Sequence, residues 1–223
     1  MMALLLLLAA EFWEAKPYAN WSEQEVARVL VDSPWAKEVF IRWEGDIDQR
    51  LRDAQRTPAP APASASGVSQ RGGSGGGPIG SMVGGRKGVP IPAGATVHVR
   101  WESAKPLRQA IAATKKAAVA PEPDHYTLVI DHIPPFMETR EPANLRDVLL
   151  QITELTWDKS PPVRPSDAAV TANADGLIVR LTFPRYPDAA QASGVELHTR
   201  IGVSRVRCAF KLRPMRIAGR LEL

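Results

Sequence analysis

The chain has 223 residues, 44% hydrophobic and 23% charged, a balance that excludes a wholly disordered or collagen-like protein and allows one or two modest domains with a real core. The formal net charge of +4 is unevenly placed: residues 195–223 hold seven Lys/Arg (Arg200, Arg205, Arg207, Lys211, Arg213, Arg216, Arg220) against Glu196 and Glu222, a surplus of five that leaves residues 1–194 at −1. The single cysteine, Cys208, excludes an intramolecular disulfide, so packing must hold the fold.

Residues 1–10 are apolar throughout. The run is too short for a bilayer, which needs about 20 residues. It has the length of a signal-peptide core, and Ala9-Ala10 supplies small residues before a cleavage point. Export to the periplasm or beyond, with this segment removed, is the expectation. The sequence carries no second apolar run, so no transmembrane anchor is expected.

Residues 11–54 form a Trp-rich N-terminal segment. Ser22 and Glu25 have the spacing of a capping box, in which hydroxyl and carboxylate each satisfy a free backbone N–H. The spacing predicts a helix over 23–31 with Val26, Val29 and Leu30 on one face. Ser33-Pro34 reads as a second helix start, because proline at the first helical position loses no hydrogen bond. Val39, Ile41 and Trp43 alternate as in a strand, and 45–54 reads as a charged helix or tail.

Residues 55–96 are low in complexity, with Pro-Ala repeats followed by a Gly/Ser run. Such a stretch buries too little apolar area to offset its ordering entropy, and a long disordered linker is expected. Residues 97–223 then form an α+β domain. A strand is predicted over 96–102 and a helix over 105–119. Val39-Phe-Ile-Arg-Trp-Glu44 is echoed by Val97-His-Val-Arg-Trp-Glu102, either as two related pieces or by chance.

Residues 126–133 are apolar on both parities, as in a central strand covered on both faces. Residues 144–157 read as one helix with Leu145, Val148, Leu149, Ile152 and Leu155 in a stripe, ended by Pro161-Pro162. Asp175-Gly176 marks a hairpin before a strand over 177–183. Strands over 195–201 and 203–213 flank Gly202, and Ala218-Gly219 turns into a last strand over 220–223. Short connections between successive strands imply a mainly antiparallel sheet, meander or sandwich-like, with two or three packed helices.

The N-terminal Phe12-Trp13-Glu14, Tyr18, Trp21-Ser22, Glu25 and Asp32-Ser33-Pro34-Trp35-Ala36 occur with Val99-Arg100-Trp101-Glu102-Ser103-Ala104, Phe183-Pro184-Arg185, Phe210-Lys211-Leu212 and Gly219-Arg220-Leu221-Glu222-Leu223. Together they resemble a family of exported bacterial proteins of unknown function, with a Trp-rich start, a Gly-rich linker and a β-rich C-terminal part. The resemblance implies export and domain order, and brings no activity or site.

Among chemistry-bearing residues, Asp124-His125 and Asp131-His132 pair imidazole with carboxylate. The pairs are seven residues apart, which on a strand puts equivalent residues on opposite faces. His125 and Asp131 can share a face, but two ligands make no site, so no metal or cofactor is expected. No nucleophile elbow, zinc-protease helix, paired-cysteine motif or P-loop occurs. Cys208 falls on the apolar parity of its strand and reads as a small buried hydrophobe. Trp13, Trp21, Trp35 and Trp43 read as packing anchors, with a ligand-stacking platform as the alternative.

The strand over 203–213 separates by parity: Val206, Cys208, Phe210 and Leu212 on one side, Arg205, Arg207, Lys211 and Arg213 on the other. That cationic stripe is the candidate anion-binding face, with an anionic envelope component or a periplasmic protein as the partner. Aromatics are not interleaved with these cations, which argues against nucleic acid. Residues 144–156 are also similar to the strand-then-helix units of the periplasmic N-domains of secretins and related outer-membrane receptors. The sequence therefore favours a non-catalytic binding or structural protein of the cell envelope. The alternatives are a periplasmic module of a secretion or uptake assembly, and a hydrolase.

Overall fold

The computed structural model describes residues 11–43, 93–135, 142–202 and 204–223. The expected signal segment, the charged stretch at 45–54 and the linker up to residue 92 lie outside them. Among the described residues there are four α-helices, α1 (Phe12–Ala15), α2 (Glu23–Val31), α3 (Lys105–Lys115) and α4 (Pro142–Ile152). There are ten strands: β1 (Ala36–Arg42), β2 (Gly94–Trp101), β3 (His125–Ile133), β4 (Glu154–Trp157), β5 (Asp167–Asn173), β6 (Gly176–Pro184), β7 (Gly194–Ile201), β8 (Ser204–Lys211), β9 (Arg216–Ile217) and β10 (Arg220–Leu221). Every pairing between them is antiparallel, in sheets ordered β1-β2-β3-β6-β5, β4-β7-β8 and β9-β10. The protein is thus an α+β fold with a mainly antiparallel, sandwich-like sheet arrangement.

The core forms because alternate residues of the two larger sheets face each other. Val97, Val99 and Trp101 of β2, Leu128 and Ile130 of β3, and Val179, Leu181 and Phe183 of β6 are fully buried. Across from them lie Leu155 and Trp157 of β4, Leu197 of β7, and Cys208 and Phe210 of β8. Trp101 meets Trp157 and Phe210 edge-on, with ring centroids 5.9 and 5.7 Å apart, the offset that aromatic quadrupoles prefer.

The N-terminal segment belongs to the same body. β1 adds to the edge of β2 over seven register pairs, from Ala36↔Arg100 to Arg42↔Gly94. The two echoed pieces thus start from neighbouring antiparallel strands, which bring Val39 opposite Val97. Trp35 is fully buried and its Nε1 donates to the Glu222 carbonyl at 2.6 Å. Trp13 meets Trp35 and Phe12 meets Trp21 edge-on, so these rings pack. α2 starts at the expected capping box: Glu25 N donates to Ser22 Oγ at 3.3 Å and Ser22 N donates to Glu25 Oε2 at 2.7 Å.

Several expectations need correction. Ser33-Pro34 starts no helix: Ser33 and Ala36 exchange backbone hydrogen bonds in a turn that delivers Trp35 to the core. β2 begins at Gly94, inside the expected linker, because Ala95 and Gly94 continue the ladder with Ile41 and Arg42. A Cβ at Gly94 would sit 2.0 Å from the Ile41 carbonyl oxygen, so this glycine permits the approach of β1. α3 stops at Lys115, where Lys116 takes the left-handed conformation (φ 50°). α4 stops at Ile152, not at Pro161-Pro162; Leu155 leaves the helical stripe and joins β4 together with Trp157, and the backbone of that strand is taken by β7.

Candidate functional site

The face of the five-stranded sheet turned away from the core carries a band of polar residues. The register sets its rows. His98 lies opposite Asp131, and Arg100 opposite Val129, which in turn lies opposite Arg180. Thr127 lies opposite Thr182 one step further on, where β2 runs out into Glu102. Strand alternation puts these residues on one side because Val97, Val99 and Trp101 face the core.

In the first row Asp131 is nearly buried, its side chain 8% exposed. Its oxygens divide their partners. Oδ2 accepts from Arg100 Nη2 at 2.5 Å, while Oδ1 lies 2.8 Å from His132 Nδ1 and 3.5 Å from His98 Nδ1. His98 Nε2 lies 3.4 Å from Glu38 Oε1 of β1. Regular alternation would send His132 into the core. Instead β3 has a bulge between Ile130 and Ile133, and His132 takes φ 58°. The left-handed conformation is uncommon for a residue with a Cβ, and here it places the His132 ring 4.3 Å from that of His98. Gly176 makes room for the bulge: a Cβ there would sit 2.3 Å from the Ile133 carbonyl oxygen, and its φ of 128° suits glycine.

At the other end of this face a cavity of about 390 Å3 opens between the sheet and α3. Glu102, Thr127 and Arg180 line it from the sheet, Arg108, Ile111 and Lys115 from the helix, and the 117–123 segment closes one side. Arg180 pairs with Glu102. Its guanidinium pKa is lowered, first by burial and then by the nearby Arg100 charge. Arg108 Nε donates to the Ser103 carbonyl at 3.0 Å and its Nη1 to the Ala120 carbonyl, which ties α3 to the loop. Three cations and one acid thus line the cavity. The buried Arg100 Nε, between the two rows, has no hydrogen-bond partner among the described residues.

The cationic stripe is only partly assembled. Arg205, Arg207 and Lys211 share the outer side of β8, as parity requires, while Val206, Cys208 and Phe210 are buried. Arg213 is not on the strand. It starts a single 3-10 turn (Arg213–Met215) and lines a different cleft with the acids Glu11, Glu14 and Asp32. Arg207 is held by both oxygens of Glu196, with Nη2 to Oε2 at 3.1 Å. Arg207 therefore holds the Glu196 carboxyl down at about 2, with His198 assisting. Arg205 faces Arg200 across the ladder. Cys208 is buried at 3% exposure, and burial pushes its thiol up to about 12.

His125 and Asp131 do share the polar side of β3, but they are six positions apart, about 20 Å of strand. His125 pairs only with its neighbour Asp124 among the described residues, at 2.7 Å. The residue that sequence reasoning missed is His98, which comes from another strand and meets Asp131 through the β2–β3 register. Comparison with family models, curated proteins and solved structures returned no match.

Proposed function

We propose that the protein is an exported, non-catalytic binding protein of the cell envelope that takes a small organic anion in the cavity between α3 and the polar sheet face. One observation carries the reading: about 390 Å3 of space bears Arg108, Lys115 and Arg180 against the single acid Glu102, beside an apolar wall that includes Ile111 and Ala112. That volume lies in the range of small-molecule sites, where apolar walls hold the body of a ligand and a few fixed polar groups orient it. Arginine suits carboxylate and phosphate because its planar fork donates two parallel bonds. Binding rather than hydrolysis is supported by the state of Ser103, the one serine among the described residues that line the cavity. It is 3% exposed and accepts the Thr127 backbone N–H at 3.0 Å, which commits it to the fold. The β8 stripe is the weaker surface for an anion, because Glu196 neutralises Arg207 and Arg213 lies elsewhere.

The test is thermal stabilisation and calorimetry of the full chain against dicarboxylates, aromatic carboxylates and phosphomonoesters. At least one class should raise the melting temperature, less so in high salt, and Lys115→Glu or the cavity-filling Ile111→Trp should remove the effect. No response to any class, or equal binding by both variants, overturns the reading. Lys115 is exposed at the end of α3, so its substitution leaves the fold intact.

A further inference from the structure

From the first row of the polar face, we infer that His98, Asp131 and His132 bind a divalent first-row transition metal ion. The site lies four residues along β2 from Glu102, about 13 Å by strand rise, and does not depend on the anion reading. The three ligand atoms lie within 4.8 Å of one another. A cation coordinated at about 2 Å by nitrogen and oxygen fits between groups so spaced.

The hydrogen-bonding capacity of His98 points the same way. His98 has a carboxylate oxygen at each ring nitrogen: Glu38 Oε1 at 3.4 Å from Nε2, and Asp131 Oδ1 at 3.5 Å from Nδ1. A neutral imidazole has one N–H and one lone pair, so it can donate to only one of them. The other contact sets a lone pair against an oxygen unless a positive centre lies between. With Nε2–H given to Glu38, the Nδ1 lone pair faces Asp131 Oδ1 3.5 Å away, and a metal ion bound by both at about 2 Å, seated off the direct line, resolves the conflict, as a second ring proton also would. Glu38 then acts as the carboxylate that fixes a ligating histidine, a common outer partner of metal sites. Arg100 plays the matching part for Asp131, holding Oδ2 and leaving Oδ1 for the ion.

The backbone supplies a second, separate observation. His132 reaches the cluster only through the bulge and its φ of 58°, and bulges of this kind re-aim a side chain beside a site. Two nitrogens and one carboxylate oxygen select zinc, cobalt, nickel or copper over magnesium or calcium, which take oxygen ligands. Three protein ligands leave a coordination position for water or an exogenous group, and His132, 49% exposed, opens it to solvent.

The experiment uses the full chain without a histidine tag, freed of metal by chelator and titrated at pH 7.5 with Zn2+ by calorimetry and with Co2+ by visible absorption. One equivalent of Zn2+ should bind, Mg2+ should not, and Co2+ should develop absorption bands that Zn2+ bleaches. His98→Ala and His132→Ala should each abolish this binding, Glu38→Gln should weaken it by about tenfold, and His125→Ala should leave it unchanged. Because His132 is half exposed, its variant stays folded by circular dichroism and reports on ligation alone. No Zn2+ binding, or binding that survives in the His98→Ala/His132→Ala double variant, overturns the assignment. Anion stabilisation at the α3 cavity should be the same in both histidine variants, so failure of one site is distinguishable from failure of the other.

Discussion

At the scale of single residues, neighbours in sequence have opposite fates. Phe210 is 1% exposed and meets Trp101 edge-on at 5.7 Å, while Lys211 points outward from the same strand. Phe210→Ala should destabilise the protein by about 3–5 kcal/mol and Lys211→Ala by no more than about 0.5 kcal/mol, read from denaturant midpoints at constant slope; equal losses would contradict the register of β8. Protonation divides residues in the same way. The Glu196 carboxyl, ordinarily near 4.5, is held at about 2 chiefly by Arg207. A carboxyl depressed in the folded state adds stability above its unfolded pKa, and that contribution disappears as pH falls from 4.5 towards 2. Solvent screening keeps it under about 1 kcal/mol. In Arg207→Ala, carboxyl-detected NMR should find Glu196 titrating closer to 4.5, and a value still near 2 would assign the depression to His198 instead.

Elements were legible where local chemistry decides them. The Ser22–Glu25 box gave α2 its start, the two-parity apolar run gave β3 its central place, and Asp175-Gly176 gave the β5–β6 turn, closed at Asn173↔Gly176. Elements decided by distant partners were not. Leu155 fits both the helical stripe and, with Trp157, a two-residue alternation over only four residues, and the free edge of β7 settles the choice. Thr153 marks the switch: its N–H makes a helical bond to Leu149, while its hydroxyl bonds Thr199 of β7 at 2.7 Å. The candidate metal cluster was half visible for the same reason. Asp131-His132 stands out in the sequence, but nothing local shows that His98 faces it, or that a bulge turns His132 outward. β1 is the element most dependent on remote pairing, since residues 43–93 separate it from β2. Cutting the chain at a protease site placed within 46–92 should yield fragments that co-purify through the β1–β2 ladder and the Trp35–Glu222 bond. Fragments that separate in native buffer would show that this ladder is too weak to hold β1 without its covalent connection.

At the scale of the whole molecule, the basic C-terminal stretch spreads over several surfaces rather than forming one patch. Arg207 pairs with Glu196, Arg220 with Glu122 at 2.7 Å, and Arg216 donates to the Ala190 and Gly219 carbonyls. A cluster of polar groups on the outer face of the five-stranded sheet is built from both halves of the chain: Glu38 from before residues 44–92, and His98, Arg100, Asp131 and Arg180 from after them. The same arrangement of β1 permits exchange between copies. The seven-residue edge of β2 accepts β1 through contacts that are identical whether the strand comes from its own chain or another's. What favours the intramolecular form is the covalent tether of β1 to its own chain, which gives it an effective concentration that a second molecule must match. At high protein concentration that margin narrows, and two molecules can trade N-terminal segments to give a dimer with every native contact preserved. In such a dimer Glu38 would stand beside the His98 of the other chain, so each ion-binding cluster would be shared between two polypeptides.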